Sequence, residues 1–387
     1  MDYVTLYAQP LMKILLLGEY SNVHATLAKG LKTLGHEVTV LSNGDFWKNY
    51  PRDIDMVRTY TKWGGIRYLL RMLRILPKLK GYDIVQLISP MFLELKAEHI
   101  TPFYHYLRRY NKKIVLGAFG MDYYWVSTCC YEKKLRYSDF NIGDSLRTTP
   151  DALKERKDWI GTAKERLNRM IAKECDGIVA GLYEYWACYY PIFPQKTIFI
   201  PYPVQMPEQA TSIGHSEGCH RQEATSRKLR LFIGINKERS AYKGTDIMLQ
   251  AAKDIVRELP KQVELKIAES VPFEEYQHLM DHSDAILDQL YSYTPSMNSL
   301  LAMSKGIISI GGGEPENYEI IHEETLRPII NVEPTYESVC NALRQLVNHP
   351  ENIAKLQAQS IAYIEKHHEY KKVAAQYADY YQKLLSI

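Results

Sequence analysis

Residues 13–42 read KILLLGEYSNVHATLAKGLKTLGHEVTVLS. The opening KILLLG is a continuous apolar run closed by Gly18, the pattern of a strand covered on both faces. From Asn22 to Leu34, the residues Val23, Leu27, Leu31 and Leu34 recur every third or fourth position, which predicts a helix, and Gly35 is a suitable stop. EVTVLS (37–42) is the next strand. Strand, helix and strand within about 30 residues make a βαβ unit. Such a unit at the start of the chain argues for a parallel, doubly wound sheet.

The same rhythm continues outward. DIVQLIS (83–89), KIVLGAF (113–119), CDGIVAG (175–181) and KTIFIPYPV (196–204) read as strands, and 151–174 is charged and helical in pattern. Residues 206–228 then break the alternation with a polar stretch rich in Ser, Thr, Gln and Glu, which suits a linker or long surface loop. After it, KLRLFIGI (228–235), VELKIA (263–268), AILDQL (285–290), GIISIGG (306–312) and PIINV (328–332) restore the strand pattern, with a helix at 244–259 closed by Pro260. Tyr370 to Leu385 is again helix-periodic. The expected architecture is α/β: two Rossmann-like, doubly wound domains, 12–204 and 228–365, joined by 205–227 and facing a central cleft. Residues 1–11 read as an appendage to a fold that begins at Met12.

Composition excludes several classes. The 387 residues suffice for two cores. No apolar run approaches a transmembrane length. A net charge of +3 gives no reason to expect nucleic acid as a partner. Six scattered cysteines form no C-x-x-C pair, so zinc ribbons and thioredoxin motifs are not expected. Without a secretory signal, the reading is a cytoplasmic protein.

Two stretches carry chemistry. In DQLYSYTPSMNSLLAMSKGIISIGGGEPE (288–316), a strand ends, a helix begins near Ser296–Ser299, and the next strand ends in three glycines. A helix N-terminus with unpaired N–H groups suits a diphosphate. Ser296, Asn298 and Ser299 can cap it, and Glu314 and Glu316 can accept hydrogen bonds from sugar or ribose hydroxyls. An ordinary capped crossover helix explains the same residues. The second stretch, GINKERSAYKG (234–244), places Lys237, Arg239 and Lys243 between a strand and a helix, where they can neutralise a departing diphosphate or stand in solvent. In the first domain, Gly18, Glu19 and Tyr20 follow the first strand and His24 lies one turn into the helix. Glu19 can bind an acceptor hydroxyl or cap the helix; His24 can serve acid–base chemistry or pack on the helix face.

The order of these segments resembles the glycosyltransferase family 4 type, also called glycosyl transferases group 1. AYKGTDIMLQAA resembles the family's KG-x-D-x-L-x-x-A helix start, LLAMSKGIISIGGGEPE its LEAMA-x-G-x-P-V region, and KTIFIPYPV the strand closing its first domain. The resemblance implies the GT-B arrangement, with the acceptor on the first domain, the donor on the second, and a C-terminal helix (366–387) returning to the first. It implies that Arg239 and Lys243 hold the donor diphosphate and that the Ser296–Ser299 helix start holds the distal phosphate or sugar. Glu314 or Glu316 would contact the donor, Asp288 would add a contact, and Asp122 would be catalytic. It further implies retention of anomeric configuration with no metal or other cofactor. The implied partners are a nucleotide diphosphate sugar and a saccharide or lipid-linked acceptor, as in cell-surface polysaccharide synthesis. Four positions depart from the family: Tyr293 and Leu301 stand at its two glutamates, Ile235 at its arginine, and Phe119 at its histidine. Two other outcomes fit the scaffold, a non-catalytic binder of nucleotide sugar or glycan and a nucleotide-sugar epimerase.

One helix stands apart. In IRYLLRMLRILPKLK (66–80), Arg67, Arg71, Arg74 and Lys78 share a face and leucines occupy the others. It suits either an anionic membrane surface, placing the protein peripherally on the inner face, or plain solvation.

Overall fold

In the computed structural model, which describes residues 10–61, 63–207, 228–235, 240–269, 271 and 273–387, the alternation becomes two separate parallel sheets. The first begins with β1 (Lys13–Leu17), β2 (Glu37–Ser42), β3 (Ile54–Asp55), β4 (Ile84–Leu87) and β5 (Lys113–Ala118). A small antiparallel hairpin, β6 (Asn141–Ile142) and β7 (Ser145–Leu146), leaves it, and β8 (Gly177–Ala180) and β9 (Thr197–Phe199) complete it. The order is β3-β2-β1-β4-β5-β8-β9, so the strand order reverses between β1 and β4. Leu15 lies beside Thr39 and Val85 in register. Leu15, Leu17, Val85 and Leu87 fill one face, Ile14, Leu16 and Ile84 the other, and all are fully buried. A sheet covered on both faces is why these strands read as unbroken apolar runs.

The first-domain helices are α1 (Val23–Thr33), α2 (Gly64–Ile75), α3 (Ala97–Tyr110), α4 (Tyr123–Ser127), α5 (Pro150–Trp159), α6 (Ala163–Glu174) and α7 (Tyr183–Tyr189). The helical stretch read at 151–174 is two helices, broken where Gly161 takes a left-handed conformation (φ 72°).

The second domain runs β10 (Leu229–Ile235), α8 (Ser240–Lys243), α9 (Thr245–Glu258), β11 (Val263–Glu269), α10 (Phe273–Asp281), β12 (Ala285–Leu287), α11 (Met297–Ser304), β13 (Ile308–Gly311), α12 (Pro315–Ile320), β14 (Ile330–Asn331) and α13 (Tyr336–Asn348). Its order, β11-β10-β12-β13-β14, places the reversal between β10 and β12. The expected linker at 205–227 lies mostly outside the described residues, as do residues 1–9 of the expected appendage.

The chain then crosses back through α14 (Glu351–His367) and α15 (Tyr370–Ser386). A bridge between Val204 and Glu369 marks the return. α15 lies against α1, and Gly30 is what permits it: a Cβ there would meet the Ala374 Cβ at 2.5 Å and the Tyr370 carbonyl at 2.7 Å. Buried Tyr381 donates to Gln86 Oε1 at 2.6 Å, tying α15 to β4.

Candidate functional site

Ligands of doubly wound sheets bind beyond the carboxyl ends of the strands, at the reversal of strand order. In the first domain that point is Gly18–Glu19. Gly18 sits at φ 84°, and a Cβ there would meet Ile88 Cγ2 at 2.2 Å, so only glycine fits this close turn. Glu19 is buried. Its Oε1 accepts the His24 N–H at 3.2 Å and its Oε2 the Ala25 N–H at 2.8 Å, so it caps α1. Burial drives its pKa up to about 8, while the two N–H bonds pull the other way. His24 does not face the cleft. Its Nδ1–H donates to the Gly18 carbonyl at 2.8 Å and its Nε2 accepts from Gln86 Nε2 at 3.2 Å. Burial depresses its pKa to about 3, and its two hydrogen bonds make it a link between α1 and β4. Tyr20 pairs its hydroxyl with Ser89 Oγ at 3.0 Å.

Asp122 is also inside the protein. Its Oδ1 accepts the Trp125 N–H at 2.9 Å, capping α4, and its Oδ2 accepts the Tyr189 hydroxyl at 2.7 Å. Burial raises its pKa to about 6. Phe119, in the family's histidine position, packs edge-on against His24 and Tyr202.

Beside Gly18 and Glu19 the first domain has a small depression continuous with solvent. Leu41, Met56 and Phe92 give it apolar walls, and Asn43 and half-buried Glu94 give it polar ones.

In the second domain the expected donor residues form two groups. Asp288, just past β12, accepts from Ser296 Oγ, from Ser299 Oγ at 3.0 Å and from Asn298 Nδ2 at 3.3 Å. The N-terminus of α11 therefore already faces a carboxylate, which the helix dipole favours, and Ser296 bonds that carboxylate instead of an α11 N–H. Glu314 and Glu316 follow β13 and form the other group, which the first domain engages. Arg136 reaches across to Glu314 Oε2 at 2.7 Å and Glu316 Oε1 at 2.6 Å. The Tyr137 hydroxyl donates to Glu314 Oε1 at 2.5 Å, and Asn331 Nδ2 to the same oxygen at 3.1 Å. For Glu316, partial burial raises the pKa, but the Arg136 bond and charge outweigh it and hold it low.

More of the seam is closed in the same way. Glu184, buried at the start of α7, accepts from Ser292 Oγ (2.8 Å), Tyr293 N (2.7 Å), Thr294 N (3.0 Å) and Thr294 Oγ1 (2.6 Å). Arg147, 8% exposed, donates to the Ala241 and Tyr242 carbonyls at the end of α8 and lies 3.6 Å over the Tyr291 ring. Tyr293, in the family's first glutamate position, is 1% exposed; its hydroxyl accepts the Arg136 N–H at 2.6 Å and its ring stacks on Tyr183. Lys243 ends α8, and its carbonyl accepts Leu290 N at 2.9 Å. Arg239 and Lys237 lie outside the described residues.

Arg136, Tyr137, Arg147 and Glu184 are the residues that sequence reasoning passed over. A Gly-Asp pair between Asn141–Ile142 and Ser145–Leu146 signals the hairpin beside the first three. Glu184 has no such signal.

No protein-family model and no curated sequence matches the chain. Solved structures do. Sucrose-phosphate synthase from Thermosynechococcus elongatus aligns over 97% of this chain and 99% of its own, with TM-score 0.61 and 12% identity. Anabaena HepE in complex with UDP and glucose aligns over 96% and 100%, with TM-score 0.58 and 13% identity. The chain has the GT-B fold. A putative UDP-N-acetylglucosamine 2-epimerase from Listeria monocytogenes shares it (94% of each chain, TM-score 0.51, 11% identity), so the fold leaves the chemistry open. Among the described residues no helix is long and apolar enough to cross a membrane.

Proposed function

We propose that this GT-B chain is a glycosyltransferase of the family 4 type. It would move a sugar from a nucleotide diphosphate sugar to a saccharide or lipid-linked acceptor, with retention and without a metal, in cell-surface polysaccharide synthesis. The observation that carries the reading is the second-domain bank: the carboxylates of Glu314 and Glu316 follow β13 and the α11 N-terminus follows β12, both beyond the carboxyl ends of parallel strands. Glu314 and Glu316 would accept donor hydroxyls, and Asp288 would orient Ser296, Asn298 and Ser299 toward the donor. Lys243 and Arg239 would stabilise the diphosphate as the bond from the sugar's anomeric carbon to phosphate oxygen breaks. The acceptor oxygen forms the new bond to that carbon and its proton leaves with the diphosphate. Solved relatives of the fold, sucrose-phosphate synthase by name and HepE by its UDP and glucose, favour this chemistry. The protein would be cytoplasmic and would meet the membrane peripherally through 66–80.

Thermal stability against UDP, GDP, ADP, CMP and NAD tests the donor site. One nucleoside diphosphate at about 100 times its Kd should add about 2.7 kcal/mol. No response to any of them overturns the reading. A second reading, a non-catalytic binder, draws on Arg136 saturating both glutamates and on Tyr293 and Leu301 replacing the family's pair. With the matching nucleotide sugar, transfer or nucleotide release marks the transferase, an isomerised sugar marks an epimerase, and binding alone marks the binder.

A further inference from the structure

Between α4 and α5 the first domain sends out a strap, residues 133–147, built on the β6–β7 hairpin. The strap is internally fixed. Tyr137 bridges to Ile142, the Ser138 N–H donates to the Asn141 carbonyl at 2.8 Å, and the Arg147 N–H to the Phe140 carbonyl at 2.8 Å. Asn141 Nδ2 adds bonds to the Leu135 and Gly143 carbonyls, both at 3.0 Å. The chain enters the strap through a π-helical turn, Thr128–Glu132, and a left-handed Lys133 (φ 48°), a conformation that non-glycine residues seldom take. A rigid piece on a strained entry is suited to move as one body.

The strap crosses the second domain at its reversal of strand order. β10, β12 and β13 are neighbours in the sheet, and the strap touches the chain beyond each of them. The two ends of the crossing differ. Beyond β10 it is anchored: buried Arg147 donates to the Ala241 carbonyl at 2.6 Å and the Tyr242 carbonyl at 3.0 Å, and the Tyr242 hydroxyl donates to Asp139 Oδ2 at 2.7 Å. Taking a buried cation off its acceptors is costly. Beyond β12 and β13 the hold is looser. The Arg136 N–H donates to the Tyr293 hydroxyl, and the exposed Arg136 side chain lies on Glu314 and Glu316, where solvent screens the ion pairs. Glu184 grips 292–294 separately, so the domains stay joined when the strap lets go at this end.

We propose that the strap is an autoinhibitory latch on the donor site: anchored at Arg147 and released at Arg136 and Tyr137, it yields to the sugar of a nucleotide sugar and stays shut for the nucleotide alone. The inference rests on the reading above in which Glu314 and Glu316 accept donor hydroxyls. Arg136 meets both Glu316 oxygens and Glu314 Oε2, and Tyr137 with Asn331 takes the two lone pairs of Glu314 Oε1. The sugar therefore competes with the strap for the same oxygens, whereas a nucleotide without its sugar leaves them to the strap. A site that is open in only a fraction of molecules binds more weakly by that fraction.

Amide hydrogen exchange on the full chain, at single-residue resolution, reads the latch at the residue 136 N–H and the strap's own fold at the Ser138 and Arg147 N–H groups. The double variant Arg136→Ala, Tyr137→Phe should exchange about tenfold faster at residue 136, with Ser138 and Arg147 unchanged. If the double variant melts early, Arg136→Ala alone, expected at about threefold, carries the test. UDP-glucose, GDP-mannose and ADP-glucose are then each compared with the bare nucleotide. The conjugate that binds should speed exchange at residue 136 of the wild type about fivefold while its nucleotide does not, and the double variant should bind that conjugate about tenfold more tightly with nucleotide affinity unchanged. Wild-type exchange at residue 136 in the variants, or equal speeding at 136, 138 and 147, would overturn the latch. So would a conjugate that slows exchange at residue 136 and binds the double variant more weakly, which makes Arg136 a donor ligand. If neither protein binds any conjugate, the donor reading fails and the competition with it, while exchange in the ligand-free chains still decides whether the strap opens at one end.

Discussion

On the second-domain bank, Glu314 already accepts from Arg136, Tyr137 and Asn331, and the loop at 292–294 is gripped by Glu184 from the other domain. On the first-domain bank, Glu94 stands half-buried at an open recess, with Phe46 and Trp63 beyond it in solvent. Both banks lie at the carboxyl ends of parallel strands, so topology does not separate them. What differs is who satisfies the polar groups. The sealed bank uses the chain's own cation and hydroxyls; the open one leaves acceptor capacity and apolar surface uncovered. The lesson is that the same sheet architecture supplies a tight seam or an open port according to the loops that finish it.

The largest expected effect lies in the seam. Glu184→Ala strands the Tyr293 and Thr294 N–H groups in a buried place and should cost about 3 kcal/mol, read as a lower urea midpoint. Wild-type stability would mean the seam is not held there. Next, Lys243→Ala should weaken nucleoside diphosphate binding by about 2 kcal/mol, the scale of a charge-assisted hydrogen bond, measured by calorimetry; unchanged affinity removes Lys243 from the diphosphate.

On the open bank, the test is pH. The folded pKa of Glu19, about 8, lies above its unfolded value near 4.5, so the folded state holds a proton that the unfolded chain releases. Its contribution is fully present below about pH 4.5 and is lost as pH rises to about 8, by at most roughly 1.4 kcal/mol per pH unit. Glu19→Gln should therefore show a smaller fall in melting midpoint from pH 6.5 to 8 than wild type. Parallel slopes would mean Glu19 is ionised in the fold. The smallest effect is at Arg136. Its side chain is 56% exposed, so its ion pairs add little stability, at most about 1 kcal/mol. Arg136→Ala should free Glu316 and Glu314 Oε2, leaving Glu314 Oε1 on Tyr137 and Asn331, and tighten nucleotide-sugar binding about threefold relative to the nucleotide alone. Equal weakening of both would instead assign Arg136 to the diphosphate.

The sheets were legible because an apolar run, an amphipathic helix and a second run are local patterns, complete within residues 13–42. The break at Gly161 was visible as a letter but not as a break, since the helical charge pattern continues across it. The carboxylates Glu314 and Glu316 and the start of α11 could be found as residues following a strand. What they touch could not. Arg136 meets Glu316 across 180 residues, and Glu184 meets Tyr293 across 109. No period of 2 or 3.6 reports on pairs so far apart. His24 and Asp122 could be found beside strand ends, where ligands bind, but the burial of their side chains could not.

The return of α15 to α1 has a consequence for synthesis. Domains generally fold as units from the N-terminus while the chain is being made. Here Val373, Ala374, Tyr377 and Tyr381 cover apolar surface of the first domain, and they are translated only after the entire second domain. The first domain must therefore wait on the ribosome with the α1 face bare until the last helix emerges. A release that halts synthesis before residue 370 should yield a folded second domain tethered to a first domain that is sticky, protease-sensitive and a natural client for chaperones.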